Sequence, residues 1–186
     1  MAEPLPPVSV PPEAHAAFRR GQLLILLGEF DHPVEVDRLG YMEFFAANPF
    51  LVWRDATAER TQLRLAGLLP SALSYQAAPE RYANRRVRLR SDLAALVAWG
   101  FMRTDTVDGR IACELTDEGR TAATRLDTVY SSAYRLSVSL VAPKLRNVTN
   151  VELHRMATRW LRLGAMRVDL LDTTVGMEPN GQGVLL

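Results

Sequence analysis

Residues 81–120 read RYANRRVRLRSDLAALVAWGFMRTDTVDGRIACELTDEGR, and they carry the clearest structural signals in the chain. The first half predicts a helix, because four apolar residues share one helical face, namely Tyr82, Leu89, Leu93 and Leu96. Gly100 then supplies the left-handed residue that commonly ends a helix. The second half predicts a β-hairpin, since Asp108-Gly109 separates two short runs and a type I′ turn needs positive φ at both central residues.

The hairpin is followed by the signature of a further helix. Thr116 is a natural N-cap, and Asp117 and Glu118 place negative charge at the positive end of the helix dipole. A helix, a glycine stop, a β-ribbon and an exit helix are the elements of a winged helix-turn-helix in their usual order. The expected fold class is therefore mainly α with a small β-hairpin wing.

The residues before this segment predict three more helices, at about 13–28, 36–47 and 57–68, from the spacing of their apolar residues. Residues 50–53 are expected to form a short strand or a buried loop. About thirty residues separate the second helix from residue 81, whereas a winged helix commonly uses a short connection there. The winged helix is therefore expected to be elaborated by an insertion.

The residues after the hairpin predict two helices. A long one is expected from Asp117 to about Val141, stopped by Pro143, with an apolar seam formed by Ala122, Leu126, Val129, Ala133, Leu136 and Leu140. Thr149 and Glu152 form a capping box for a last helix, at about 150–163. The seam of the long helix and an apolar stripe on the last helix together give more apolar surface than a small domain easily covers alone. The stripe of the last helix is therefore a candidate interface with a partner or a second copy: Leu153, Met156, Trp160 and Leu163.

These elements divide the chain into four parts. Residues 1–12 contain five prolines and are expected to be a flexible leader. Residues 13–145 are expected to form the elaborated winged-helix domain. Residues 146–164 would be a C-terminal helix packed on that domain or on a partner, and residues 165–186 a tail.

Composition limits the classes of function. The net charge of the 186-residue chain is +1, so any contact with nucleic acid must come from a local basic patch. Cys113 is the single cysteine, which excludes an intrachain disulfide and favours a reducing compartment. It is expected to be a buried structural thiol. The sequence contains no secretory signal and no apolar run of membrane-spanning length, which predicts a soluble, cytoplasmic protein without membrane contact.

The basic residues of the predicted recognition helix are the best candidates for contact with DNA or a protein partner: Arg81, Arg85, Arg86, Arg88 and Arg90. Arginine suits phosphates, guanine edges and protein interfaces alike, and a plain solvated surface is a third interpretation. Residues 86–90 also alternate at period two, so a strand remains open there. In the wing, Arg103 and Arg110 are candidate contacts.

Catalytic residues are not evident in the sequence. His15, His32 and His154 are scattered, and neither a metal-binding Cys/His cluster nor a glycine-rich phosphate loop is present. We therefore expect a protein that is not an enzyme and that has no metal or cofactor.

Three segments together resemble a known family: Leu23–Leu27, Val34–Met42 and Trp99–Met102. They are similar to the middle component of ABC-three-component systems, which are bacterial conflict operons that include Lamassu-like antiphage or antiplasmid defence. The resemblance covers roughly residues 15–145 and implies a small winged-helix partner of a structural-maintenance-of-chromosomes-like (SMC-like) or RecN-like ATPase, accompanied by an effector. It supplies no catalytic residues.

Two hypotheses follow. The first is a non-enzymatic accessory subunit that binds the ATPase in a DNA-associated defence complex, with the effector, DNA and a second copy of the chain as further candidate partners. The alternative is a free-standing winged-helix transcription regulator that reads DNA as a dimer. The long insertion and the two outer seams favour the first hypothesis, whereas the basic residues suit either.

Overall fold

The computed structural model describes residues 12–53, 57–69 and 78–161. Seven α-helices lie in these ranges: α1 (Ala16–Gly28), α2 (Val36–Ala47), α3 (Ala58–Leu65), α4 (Ala78–Ala98), α5 (Asp117–Thr124), α6 (Val129–Leu145) and α7 (Asn150–Leu161). The strands are β1 (Val34–Glu35), β2 (Met102–Val107) and β3 (Arg110–Leu115), and short 3-10 turns cover Pro12–Ala14 and Pro49–Leu51. The chain is therefore mainly helical with one small sheet. The predicted leader and tail lie outside the described residues.

The sheet is antiparallel and has the strand order β1-β3-β2. Within the hairpin, Met102 pairs with Leu115 and Val107 pairs with Arg110, while Val34 of β1 pairs with Cys113. Asp108 and Gly109 form the turn with φ of 51° and 75°, the positive values that a type I′ turn requires. The predicted hairpin is confirmed.

Helix α4 confirms the predicted apolar face, because Tyr82, Leu89, Leu93 and Leu96 are all buried. Gly100 follows the helix with φ of 74°, in the left-handed region that glycine adopts without steric cost. The alternative of a strand at residues 86–90 is wrong, since these residues lie within the helix. The apolar residues of α4 follow helical spacing over the whole segment, and burial of that face outweighs the period-two alternation within residues 86–90.

Of the three helices predicted before residue 81, α2 is confirmed with the expected bounds. Thr57 caps α3 by accepting a hydrogen bond from the backbone N–H of Arg60 at 3.3 Å. Residues 50–53 are not a strand, because Pro49 begins a 3-10 turn that buries Phe50. Helix α3 lies in the predicted insertion, and its Leu63 is fully buried.

The single long helix predicted from Asp117 to Val141 is wrong. The chain forms two helices, α5 and α6, because Thr128 begins a new one: its side chain accepts from Ser131 N at 3.0 Å, and Ser131 Oγ accepts from Thr128 N at 2.7 Å. This capping box satisfies backbone donors that a continuous helix would have paired internally. The predicted seam is therefore interrupted, with Val129 exposed. Pro143 does not stop α6, since it lies in the last turn, where it removes only one helical bond.

One apolar core joins most of these elements. Helix α1 is central, with Leu23 to Leu27 all buried, and it packs on α4, α5 and α6. Helices α6 and α7 pack on α2, and Leu153 and Ala157 of α7 belong to the same core. The last helix therefore shares the core of the preceding helices.

Gly21, in the middle of α1, has room for a larger residue. A Cβ there would lie 3.6 Å from Leu126 Cδ1, an ordinary van der Waals contact. We expect Gly21→Ala to stabilise the protein by about 0.5–1 kcal/mol, because alanine loses less backbone entropy in a helix. Thermal unfolding should show Tm higher by roughly 1–4 °C.

Gly119→Ala is the matched control for that substitution. A Cβ at Gly119 would lie 1.9 Å from the backbone oxygen of Phe101, so α5 could not keep its place against the residue that precedes β2. Overpacking typically lowers the free energy of unfolding by roughly 1–3 kcal/mol, so Tm should fall in this variant. A lower Tm for Gly21→Ala would contradict the packing described for α1.

Candidate functional site

Helix α4 carries the predicted contact arginines, and its rotation about its axis determines which of them reach solvent. The core face is set by Leu89, Leu93 and Leu96. Arg85 lies four residues before Leu89, so it belongs to the inward side of the helix. Arg88 is exposed and lies on the outward side. The five arginines therefore do not form one patch.

Arg85 makes a buried ion pair with α2. Its Nη2 lies 2.9 Å from Glu43 Oε1, and the side chains are 11% and 5% exposed. Arg85 also donates to the side-chain oxygen of Gln22, which in turn donates to the hydroxyl of Tyr130 at 2.5 Å. The network thereby links α4 with α1, α2 and α6.

The electrostatics of this pair follow from burial. Burial raises the pKa of Glu43, and the charge and hydrogen bonds of Arg85 act against that rise. Burial likewise opposes the charge on Arg85, but Glu43 and the nearby tyrosines outweigh it, so the pKa of Arg85 is raised. Each charge therefore depends on the other for its place in the core.

Arg86 is also directed toward α2. Its Nη2 donates to Asp37 Oδ1 at 3.0 Å, and its guanidinium carbon lies 5.4 Å from the centre of the Tyr41 ring. A Cβ at Gly40 would approach Arg86 Nη1 to 3.2 Å, so this glycine keeps space for the guanidinium. Arg85 and Arg86 thus hold the helix in place, and neither guanidinium points outward.

A second buried cluster lies where α1 meets α4. Asp92 accepts from Arg19 Nε at 2.6 Å and from Arg19 Nη2 at 3.1 Å, a bidentate pair in which the carboxylate is almost fully buried. Arg20 Nε also reaches Asp92, at 3.2 Å, and its guanidinium lies 4.7 Å from the ring centre of Trp99. One carboxylate therefore fixes two arginines of α1 on α4.

Sequence reasoning did not single out Asp92 or Glu43. The signal was present for Asp92, because residues 85, 89, 92 and 96 follow the helical spacing of four, three and four on the buried side. Charged residues in phase with an apolar stripe indicate a buried ion pair. Their partners, however, lie on other helices, and the stripe does not identify them.

The outward side of α4 is mixed in character. Asn84, Arg88, Arg90 and Ser91 are exposed, and Val87 is 75% exposed between them. The Arg81 side chain lies outside the described part of the chain. This face offers polar, cationic and apolar groups together, as protein interfaces do.

Both candidate arginines of the hairpin are paired within the chain. Arg103 Nε lies 2.7 Å from Glu114, and Arg110 Nη1 lies 3.1 Å from Glu35. Both arginines remain well exposed, at 69% and 64%. The hairpin also carries exposed carboxylates at Asp105 and Asp108, so its charge is close to balanced.

Helix α7 is tied to α2 by polar and apolar contacts. Arg38 donates to the backbone oxygens of Leu145, Arg146 and Val148 at 2.6–2.8 Å, which satisfies carbonyls at the end of α6. Burial lowers the pKa of Arg38, and Glu35 partly offsets this effect. One guanidinium of α2 thus binds three backbone oxygens in the segment that leads from α6 into α7.

Of the four candidate interface residues on α7, the structure places the side chains of Leu153 and Met156. Leu153 is fully buried in the core, because the apolar stripe of α7 covers α2 of the same chain. Met156 is partly buried against the same core. Trp160 belongs to the helix, but its side chain lies outside the described residues, as does Leu163 entirely.

Cys113 is buried as predicted. Its Sγ donates a weak hydrogen bond to the backbone oxygen of Val34 at 3.5 Å, and burial raises its pKa to about 12. The thiolate, which is the reactive form, is therefore strongly disfavoured. The thiol stabilises the junction of β1 and β3.

Nothing in the described ranges assembles into a metal site, since no three His, Cys, Asp or Glu side chains lie close enough to hold an ion. An open depression of about 690 Å³ lies between α3 and α6, and its lining is mostly small or apolar: Leu65, Ala66, Asp127, Thr128, Val129, Ser132 and Ala133. None of the described helices is both long and apolar enough to cross a membrane.

Comparisons with protein-family models, with curated proteins and with solved structures find no match to this chain.

Proposed function

We propose that the fold is an elaborated winged helix. Helices α1, α2 and α4 take the places of the three helices of that fold, with α4 as the recognition helix and β2–β3 as the wing. The strand order β1-β3-β2 supports this assignment, since a short strand between the first two helices pairs with the second strand of the wing. Helix α3 belongs to the insertion, and α5 to α7 extend the domain.

We further propose that the protein is a non-enzymatic accessory subunit that binds an SMC-like or RecN-like ATPase in a DNA-associated bacterial defence complex. One observation favours a protein partner over DNA: Arg85 and Arg86 of α4 form ion pairs with carboxylates of α2. DNA affinity comes mainly from cations that neutralise phosphates. Two of the five candidate arginines are therefore withdrawn from that task.

The exposed surface also supports a protein partner. The outward face of α4 presents Val87, and Trp99 is about half exposed where α4 ends. Both arginines of the hairpin share their charge with glutamates. Aromatic residues and arginine are enriched in protein interfaces, whereas a duplex reader needs an excess of positive charge.

Capture of the ATPase tests this proposal. The tagged chain is co-expressed with an SMC-like or RecN-like ATPase, taken from a neighbouring gene where one is present, and the purified complex is quantified. Val87→Asp should reduce the captured ATPase by about tenfold or more, because it places a charge in the contact. Leu65→Asp is the matched control, since Leu65 is similarly exposed but lies on α3. Equal capture by both variants, with unchanged Tm, would remove α4 from the interface.

The alternative of a DNA-reading regulator is tested separately. Arg88 and Arg90 are exposed on α4, and their joint replacement by alanine should remove two phosphate contacts if the helix reads DNA. The logarithmic salt dependence of duplex binding would then become shallower by about 1.8. We expect little binding by the isolated protein and no such change. Tight binding with that loss of slope would favour the regulator.

A further inference from the structure

Strand β2 has an open edge. It pairs with β3 on one side, and no other described strand pairs with it. From Arg103 to Val107 every residue is exposed, on both faces of the hairpin. Edge strands of this kind present unpaired N–H and C=O groups that can bond to another strand.

The direction of those backbone groups follows from the turn. Val107 and Arg110 close a two-residue turn, so the odd-numbered residues of β2 bond to β3. The bond from Thr116 N to Phe101 O, at 3.1 Å, continues the same pattern. Thr104 and Thr106 therefore direct their backbone groups toward the open edge, whereas Met102, which is 2% exposed, lies at the buried start of the strand.

We infer that a second copy of this chain binds along β2, antiparallel, with a two-fold axis at Thr104. In this register Arg103 lies opposite Asp105 of the second copy, and Asp105 lies opposite its Arg103. Such pairs without direct backbone bonds bring Cα atoms to about 4.5 Å, so the opposite charges meet. The sequence Arg-Thr-Asp is thus complementary to itself.

The charges also select this register over its neighbours. An axis at Met102 or at Thr106 keeps the backbone groups in phase, but it brings no arginine opposite an aspartate. An axis at Asp105 would place like charges against each other and put the backbone groups out of phase. The Thr104 axis alone satisfies both requirements.

A further contact agrees with the Thr104 axis. Val107, which is 46% exposed, would lie opposite the partly buried Phe101 of the second copy.

The first test is the oligomeric state of the full chain across concentrations. An edge contact is smaller than a standard interface, so the dimer should be weak. Sedimentation equilibrium should show that the fraction of dimer rises with protein concentration up to about 1 mM. Asp105→Arg should raise the dissociation constant by about tenfold or more, since it creates two like-charge pairs. A wild type that stays monomeric throughout, or an Asp105→Arg variant that dimerises equally well, overturns the inference.

A charge-swap variant distinguishes pairing from a general effect of charge. It combines Arg103→Asp with Asp105→Arg, and adds Glu114→Arg because Glu114 pairs with Arg103 inside the hairpin. Its dissociation constant should return to within about threefold of the wild type. Failure to recover, in a variant with the wild-type Tm, would exclude the proposed pairing.

Crosslinking tests the position of the axis. Thr104→Cys is made in a Cys113→Ala background, because Cys113 lies opposite Thr104 within the hairpin. A short bismaleimide should convert this variant to a covalent dimer, since the two new cysteines face each other at the axis. Ser139→Cys, an exposed position on α6, is the control in the same background. Equal yields from both positions would contradict an axis at Thr104.

Discussion

Replacing Arg85 with alanine is expected to lower the free energy of unfolding by about 3–5 kcal/mol, because it leaves the Glu43 carboxylate buried without its cation. The same change removes the link to Gln22 and thereby loosens α4 from both α1 and α2. For a chain of this size the loss corresponds to a Tm lower by roughly 6–20 °C. Thermal unfolding followed by circular dichroism measures it.

The effect of Arg85→Ala should depend on pH. Burial raises the pKa of Glu43, and Arg85 opposes that rise. Removing Arg85 should therefore raise the pKa of Glu43 further. A carboxyl with a raised folded pKa adds stability below its unfolded pKa and loses it as pH rises through the folded value. The deficit relative to wild type should therefore be smaller at about pH 5 than at about pH 7.5 in urea titrations.

Two variants control for other causes. Arg88→Ala removes an exposed arginine of the same helix and should change the unfolding free energy by less than about 0.5 kcal/mol. Glu43→Leu combined with Arg85→Met replaces the pair by apolar residues and should recover much of the lost stability. If Arg85→Ala melts like Arg88→Ala at every pH, the buried pair does not hold α4.

The parts of the fold that were predictable from sequence depend on local chemistry. Asp108-Gly109 specifies a type I′ turn by itself, and Thr116 caps α5 by accepting from Gly119 N at 3.1 Å. The missed break before α6 also has a local signal, the cap at Thr128. It was hidden because the apolar spacing continues across it, from Leu126 to Val129 and Ala133. Spacing alone does not show where a helix changes direction.

The orientation of the basic residues was not predictable in the same way. Glu43 lies 42 residues before Arg85, and Gln22 lies 63 residues before it. Five arginines in ten residues resemble a binding patch as long as these partners are unknown. Only the tertiary arrangement of α1, α2 and α4 separates Arg85 and Arg86, which stabilise the core, from Arg88 and Arg90, which remain at the surface.

Replacing Asp92 with alanine should be about as damaging as losing Arg85. Asp92 is almost fully buried and binds Arg19 in a bidentate pair, with Arg20 as a second cation. Its removal leaves both guanidiniums without this carboxylate at the contact between α1 and α4, so a loss of about 3–5 kcal/mol is expected. This loss is a large part of the roughly 5–15 kcal/mol that stabilises a typical domain.

Hydrogen exchange locates the effect of Asp92→Ala and separates it from a general loss of stability. Amide protection should fall first in α1 and α4, because the carboxylate joins these two helices, while α7 should follow only the global change. Asp31→Ala is the control, since Asp31 is exposed in the turn after α1 and should leave protection unchanged. Combining Arg19→Met with Asp92→Leu should recover part of the stability. If Asp92→Ala keeps the wild-type protection of α1, the cluster at Asp92 does not join the two helices.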